Sequence, residues 1–438
     1  MQRIHLDKWA KALEAGCLRA VAPLLLGAAA LGTGCGDFED VDEGEVIEAS
    51  EVDIPEHEQL PTAGGDDGDD GEDEYLEVDA DQPNVLVDVG PEHVAGRYIV
   101  VLKDGVDPQA AAAAWEVEPE QVYTHVLNGF AGPINTAKLG ALARNPEVVS
   151  VEPDELVSVD ATQTMDGGGD PWNLDRIDQV SRTLDKRYKY NATGKGVYVY
   201  ILDTGIKLDH VDLQGARAAY DVFGGNGQDC HGHGTHVAGI VGGKVHGVAK
   251  QAALRSVRVV GCNGVGTWSK VLAGLDWVKQ HHARLAVVNL SVSGSKLSSV
   301  NAALDSLAAS RVFIAAAAGN QGKDACSYSP ASAKGVFAAA ASDRNDRRAS
   351  YSNYGPCVSA YAPGSSVRST WHDGGTRKLN GTSMASPHIA GAAALYKSRY
   401  GDASSSKIRS DLRAWASKSK ISSNPAKTAN LLLNVERL

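Results

Sequence analysis

A serine hydroxyl becomes a nucleophile only when a base takes its proton, and a base works best when a third group holds it. Three stretches of this 438-residue chain carry those types. Ser383 lies in residues 379–391 (LNGTSMASPHIAG), after a glycine turn and at the start of an apolar helix. Free N–H groups and the helix dipole there favour a developing negative charge. His233 lies in residues 229–239 (DCHGHGTHVAG), where Gly232 and Gly234 leave the ring accessible. Asp203 ends an apolar run in residues 196–205 (GVYVYILDTG), where turn N–H groups can hold a carboxylate. Each has a plainer structural reading. Ser383 would serve as an N-cap, and Asp203 as a turn residue. His231, His233 and His236 would suit a metal, but no acidic base stands at HExxH spacing and no cysteine pair completes a tetrahedral set. His231 and His236 therefore read as packing or surface histidines.

Apolar runs at 197–202, 253–259, 285–290, 312–317 and 336–340 read as strands. Residues 233–241, 269–282, 298–310 and 383–398 read as helices. Near-continuous apolar strands between helices predict an α/β fold, a mostly parallel sheet covered on both faces. Chemistry then gathers beyond the carboxyl ends of the strands. Ahead of this, residues 96–160 predict a small α+β module, β-α-β-α-β, with Asn135 capping its second helix. Residues 162–170 (TQTMDGGGD) read as a flexible joint.

The charge is divided. Residues 1–160 carry 8 Lys or Arg against 35 Asp or Glu, a net of −27. Residues 161–438 carry 34 against 19, a net of +15. Residues 37–81 hold 21 acidic and no basic residues, which predicts a disordered linker within 36–95. Residues 1–35 read as an export signal, with Arg3, Lys8, Lys11 and Arg19 before the apolar run 20–31. Residues 32–35 (GTGC) resemble a bacterial lipoprotein cleavage site, which would place lipid on Cys35. Beyond Cys17 and Cys35, four cysteines remain, and in an exported domain their default state is two disulfides.

The order Asp203, His233, Ser383, each in its own glycine-rich context, resembles the subtilases, and within them the proteinase K-like branch with aqualysin-type enzymes. The resemblance covers residues 97–438 and rests on YILDTGI (200–206), HGTHVAG (233–239), AAGN (317–320) and GTSMASPHIAG (381–391). The serine context is not the GxSxG elbow of α/β-hydrolases. The resemblance implies that Ser383 attacks a scissile carbonyl, His233 relays the proton and Asp203 holds the imidazole. It also implies that Asn320 donates to the oxyanion, with Thr382 assisting.

In this family the substrate pairs as an extra strand between two segments. They match Gly264, Val265 and Gly266 on one side and Ser291, Val292, Ser293 and Gly294 on the other. The second segment departs from the usual Ser-Leu-Gly-Gly, because Ser293 carries a side chain where glycine is expected. Residues 316–319, with Ala317 and Gly319, would leave a roomy, apolar primary pocket, so broad cleavage after apolar or aromatic residues is expected. The resemblance pairs Cys230 with Cys262 and Cys326 with Cys357. Each bridge would close a loop worth roughly 3–4 kcal/mol. Asp175, Asp178, Gln179 and Asp185 match a calcium site of aqualysin-like relatives, although Arg187 replaces a further ligand. Ser359 replaces the aspartate of another calcium site. Residues 96–160 resemble the inhibitory propeptide.

The reading is thus an exported, monomeric serine endopeptidase that needs no catalytic cofactor, acts on proteins or peptides, and is made as a precursor cut near 160–165. Two rival readings stand against it. A catalytically dead fold used for binding conflicts with the complete set of four residues. The +15 domain permits contact with anionic polymers, but no defined nucleic-acid motif is present.

Overall fold

A computed structural model describes residues 93–159 and 171–438, and the backbone of 162–164. The expected export signal, Cys35, most of the acidic linker and residues 160–161 and 165–170 lie outside the described residues. The expected linker ran to residue 95, but a strand already begins at His93.

The N-terminal module comprises β1 (His93–Leu102), α1 (Pro108–Ala114), β2 (Gln121–Tyr123), β3 (Gly129–Pro133), α2 (Thr136–Ala143) and β4 (Val148–Ser158). Asp107 caps α1, and the Asn135 side chain accepts from Lys138 N–H as predicted. The strands pair antiparallel in the order β2-β3-β1-β4. Period-two alternation divides β1 between two cores. Val100 and Leu102 pack with Leu139 and Leu142 of α2, whereas Ile99 joins the core of the larger part.

After β5 (Thr162–Thr164) and α3 (Trp172–Ile177), the larger part runs β6 (Tyr198–Asp203), β7 (Arg217–Asp221), α4 (His233–Gly242), β8 (Ala253–Arg258), β9 (Val265–Thr267) and α5 (Trp268–His281). There follow β10 (Ala286–Leu290), β11 (Gly294–Ser295), α6 (Ser298–Ala309), β12 (Phe313–Ala317), β13 (Tyr328–Ser329), β14 (Val336–Ser342), β15 (Ala360–Pro363), β16 (Val367–Thr370) and β17 (Thr376–Asn380). The chain closes with α7 (Thr382–Tyr400), α8 (Ser405–Trp415), β18 (Ser417–Lys418) and β19 (Leu431–Leu432). The main sheet has the order β18-β19-β15-β14-β12-β10-β6-β8-β7. All of its pairs are parallel except β18 with β19.

The central strands β6, β10, β12 and β14 are buried on both faces, which is why they read as near-continuous apolar runs. In β12, Phe313 and Ala315 face a core shared with α4 and α7, while Ile314 and Ala316 face the core beneath α5 and α6. The alanines of β12 and β14 let α7 approach closely; every residue from Thr382 to Lys397 is buried. A helix buried on every side belongs in an interior, and α7 packs in the core shared by α4, β12 and β14. Among the described residues no helix is long and apolar enough to cross a membrane.

The two parts pack as one compact unit. Strand β4 of the module pairs antiparallel with β9, with Val157 opposite Gly266.

Candidate active site

Asp203, His233 and Ser383 lie at the end of β6 and at the starts of α4 and α7. Asp203 ends β6, where its Oδ1 accepts from Thr204 N–H at 2.8 Å. His233 opens α4, and its Nδ1 lies 2.8 and 3.0 Å from the two Asp203 carboxylate oxygens. A carboxylate only accepts, so Nδ1 carries the proton and Nε2 of the neutral ring is left as the acceptor. That Nε2 is buried and has no hydrogen-bond partner. Gly234 permits the approach of α4 to β6, because a Cβ there would lie 2.2 Å from Gly205 O and 3.1 Å from Asp203 Cβ.

Asp229 anchors this loop. Its Oδ1 accepts from the N–H groups of His231 and Gly232 and from Thr204 Oγ1, and its Oδ2 accepts from the N–H and hydroxyl of Thr235. One residue on, Cys230 is joined to Cys262, and Cys326 is joined to Cys357. Both pairings are the expected ones. His236 is fully buried against the carbonyls of Val367 and Arg377, and burial lowers its pKa to about 3. That ring is a packing group. His231 is half-buried, beside Gly264.

Ser383 is the second residue of α7 and is 2% exposed. Its hydroxyl donates to Ser291 O at 3.2 Å. A buried chain holds it there. Ser386 Oγ donates to Asn289 Oδ1 (2.8 Å), Asn289 Nδ2 to Ser291 Oγ (2.9 Å), and Ser291 Oγ to Ser383 O (2.9 Å). Asn289 and Ser386 were not expected from the sequence. The available signal was an asparagine inside the apolar strand AVVNL, since a buried amide must find partners.

Asn320 follows β12 and stands beside the start of α7. Its Oδ1 accepts from Thr382 N–H at 2.8 Å and from Thr382 Oγ1 at 2.9 Å. Thr382 Oγ1 in turn accepts from Gly319 N–H at 3.1 Å. Thr382 was expected to assist at the oxyanion site; its N–H and hydroxyl engage the carbonyl end of Asn320, which leaves the amide nitrogen as that side chain's donor.

The expected substrate-binding segments are present as two edges, and the chain's own β4 lies between them. On one edge Ser158 is opposite Val265 and Val159 N–H donates to Gly264 O at 3.1 Å. On the other, Ser158 and Ser293 exchange backbone hydrogen bonds of 3.4 Å each. Pairing resumes at β5, with Thr162 opposite Asn380, three residues before Ser383. Gly294 lies under Leu156 and Trp268, and Val292 is buried in the core. Of the residues expected at the primary pocket, Ala316 and Ala318 pack into the core beneath α5 and α6, and Ala317, on the alternate side of the segment, is 2% exposed.

The module also caps two helices of the larger part. Asp154 accepts from Ser269 N–H (2.9 Å) and Oγ (2.6 Å) at the start of α5. Glu152 accepts from Ser299 N–H (3.1 and 3.2 Å) and Oγ (2.5 Å) at the start of α6. Neither helix has a side-chain cap from its own N-cap residue.

The expected calcium set does not converge as a donor cage. Asp175 spends both oxygens on the N–H groups of Asp185 and Lys186, Asp185 pairs with Lys189, and the Gln179 amide donates to the carbonyls of Ser181 and Thr183. Among the described residues no three His, Cys, Asp or Glu side chains are grouped to hold a metal. Ser359, which replaces the other site's aspartate, accepts from Ala338 N–H.

Against known proteins, residues 194–429 match the model of the Subtilase family, more than half of the chain. The chain belongs to the subtilase family. Residues 97–160 match the Peptidase inhibitor I9 model. This subtilase is 40% identical over 373 residues to the Extracellular serine proteinase of Thermus sp. (strain Rt41A), covering 78% of this chain and 90% of that one. It is 36% identical over 360 residues to Proteinase R of Parengyodontium album, covering 80% and 92%. Among solved structures, a cold adapted subtilisin-like serine proteinase superposes with a TM-score of 0.60 at 39% identity, covering 61% of this chain and 99% of that one. The subtilase is thus a serine protease of the proteinase K-like group, carrying its inhibitory propeptide.

Proposed function

We propose that this chain is an exported endopeptidase that cuts itself free of residues 96–160 and then hydrolyses proteins through Asp203, His233, Ser383 and Asn320. The observation that carries the reading is β4. An inhibitor that is also the first substrate must lie as a substrate lies, and β4 pairs with both cleft edges up to Val159 and is followed by pairing at Thr162. Asn380, the partner of Thr162, ends the strand that leads directly into α7 and Ser383. The bond cut therefore lies between Val159 and Thr162, and the register favours Asp160–Ala161.

Each residue has a defined part. In the precursor the Ser383 hydroxyl donates to Ser291 O. Attack requires it to turn to His233 Nε2, the unpartnered acceptor of the neutral ring. His233 takes the proton as Ser383 Oγ bonds to the scissile carbon, and Asp203 stabilises the imidazolium. The tetrahedral oxyanion accepts from Asn320 Nδ2 and from Ser383 N–H in the first turn of α7. His233 then protonates the leaving amine, water hydrolyses the acyl-enzyme, and Ser383 is restored. Main-chain pairing along Gly264–Gly266 and Ser291–Gly294 supplies affinity with little sequence demand.

Export is supported by the basic, then apolar, N-terminus, by two disulfides and by a relative named as extracellular. If Cys35 carries lipid, cleavage after β4 leaves the tether on the propiece and frees the +15 domain.

The test is N-terminal sequencing of the exported product for the parent and Ser383→Ala side by side. The parent should begin at Ala161, and the variant should keep its propiece. Identical cleavage in both would assign maturation to another protease.

A further inference from the structure

The structure assigns to Ser293 a part that resemblance alone leaves open: we propose that its side chain narrows the primary specificity pocket and selects short, polar residues immediately before the cut bond. The inference rests on the protease reading above and refines it.

The pocket must lie between the segments that follow adjacent strands. Leu290 of β10 is in register with Ala316 of β12. Beyond them run Ser291–Gly294 and Ala318–Asn320. Ser293 exchanges backbone bonds with Ser158 of the bound strand. In an extended chain, residues two apart share a side. The substrate residue two beyond the one paired with Ser293 therefore meets this same segment, and it is the residue before the cut bond.

Ser293 is not a neutral replacement for glycine here. Gly319 has φ +97°, and a Cβ added to it would lie 3.1 Å from Ser293 Oγ. The hydroxyl thus stands against the facing backbone and spans the slot. The far wall cannot yield easily, because Gly319 also lies against Asn353, whose Nδ2 donates to Ala318 O at 2.9 Å and whose Oδ1 accepts from Gln321 and Lys323 N–H. A flat aromatic ring would have to enter where this side chain sits.

The hydroxyl is also unspent. Ser293 is 7% exposed, and its Oγ has no hydrogen-bond partner. A buried hydroxyl without a partner is costly unless something completes it. A carboxylate, carboxamide or hydroxyl one or two carbons from the substrate backbone would do so.

The experiment uses the full-length chain after self-processing and peptides spanning residues 155–164, with position 160 as Asp, Asn, Ala, Leu or Phe. The ratio of kcat/KM between peptides is compared for the parent, Ser293→Gly and Ser293→Ala, so any folding loss cancels within each protein. The parent should favour Asp or Asn over Phe and Leu by about tenfold or more. Ser293→Gly should raise Phe relative to Asn by about 10–100-fold. Ser293→Ala should lose the preference of Asn over Ala. A parent that cleaves Phe as well as Asn, or a Phe-to-Asn ratio unchanged in Ser293→Gly, would overturn the proposal. Failure of every protein on every peptide would instead sink the protease reading.

Discussion

Asn320 Oδ1 accepts both the amide and the hydroxyl of Thr382, at 2.8 and 2.9 Å. An N–H group can only donate, so this contact fixes which end of the Asn320 amide faces away. Thr382→Val keeps the backbone bond and the side-chain shape but removes the hydroxyl. We expect kcat to fall about tenfold with KM little changed, as for one lost hydrogen bond. Thr382→Ser should recover most of the rate. Asn320→Ala should cost about 10²–10³ in kcat. Steady-state kinetics on one peptide check all three. A raised KM at constant kcat in Thr382→Val would place the hydroxyl in substrate binding instead.

Asn289 joins Ser386 to Ser291, and through Ser291 it steadies the carbonyl of Ser383. All four residues are buried. Asn289→Ala leaves two hydroxyls short of a partner, at a cost of about 1–3 kcal/mol. The prediction is a lower urea midpoint, measured in a Ser383→Ala background to prevent autolysis. In the active background kcat should fall more than the folded fraction does. Equal falls would limit the network to stability.

These two networks mark the boundary of what the residues alone disclose. The sheet was legible because β6, β10, β12 and β14 are buried on both faces, and a short continuous apolar run between helices suits a buried strand. Asp203, His233 and Ser383 were legible because each combines a reactive type with a strand end or helix start. Asn289 was hidden inside a strand it resembles in every other way. Thr382 sits in the serine motif, but that its hydroxyl donates to Asn320 Oδ1 is set by tertiary placement. Asp154 and Glu152 gave no signal as caps, because their helices lie 115 and 147 residues away.

Glu152 and Asp154 stabilise helices that lack side-chain caps of their own. Glu152→Ala and Asp154→Ala should each weaken binding of residues 96–160 by about 1 kcal/mol, near fivefold, as for a lost N-cap. In the chain carrying Ser383→Ala, refolding after dilution from denaturant should slow in both variants, and more in the double variant. Unchanged refolding would restrict these carboxylates to inhibition, and unchanged inhibition would show that the caps form from water alone.

His236 and His388 are fully buried rings whose pKa values burial lowers to about 3 and about 4. His388 is held between Met384 O (2.8 Å) and Asn173 Nδ2 (2.9 Å), so its neutral form is required. A histidine with a depressed folded pKa contributes stability that is present above its unfolded value near 6.5 and lost as pH falls toward the folded value. The fold should therefore weaken steadily from pH 6.5 to 4, seen as a falling denaturation midpoint in Ser383→Ala. His388→Gln, which keeps a neutral donor and acceptor, should flatten part of that slope. A slope identical to the parent's would mean that His388 does not contribute to it.

Asp178 runs the other way. Burial raises its carboxyl to about 6, and Asp175 and Asp185 add to the rise against the N–H of Lys189. One carboxylate oxygen is buried and without a partner. For a raised folded pKa, the stabilisation is full below the unfolded value near 3.9 and disappears as pH rises through about 6. Asp178→Asn removes the charge that must be buried above that pH. In chelator the variant should melt higher than the parent at pH 8, with the difference closing by pH 4. Millimolar calcium supplies the contrast. If it raises the melting temperature of the parent at pH 8 but not that of Asp178→Asn, the carboxylates of this turn reorganise around a cation, and the sign of the substitution reverses with the ion present. If calcium moves both proteins equally, the turn is held by its own amides and Lys189, and Asp178 is a destabilising group at neutral pH.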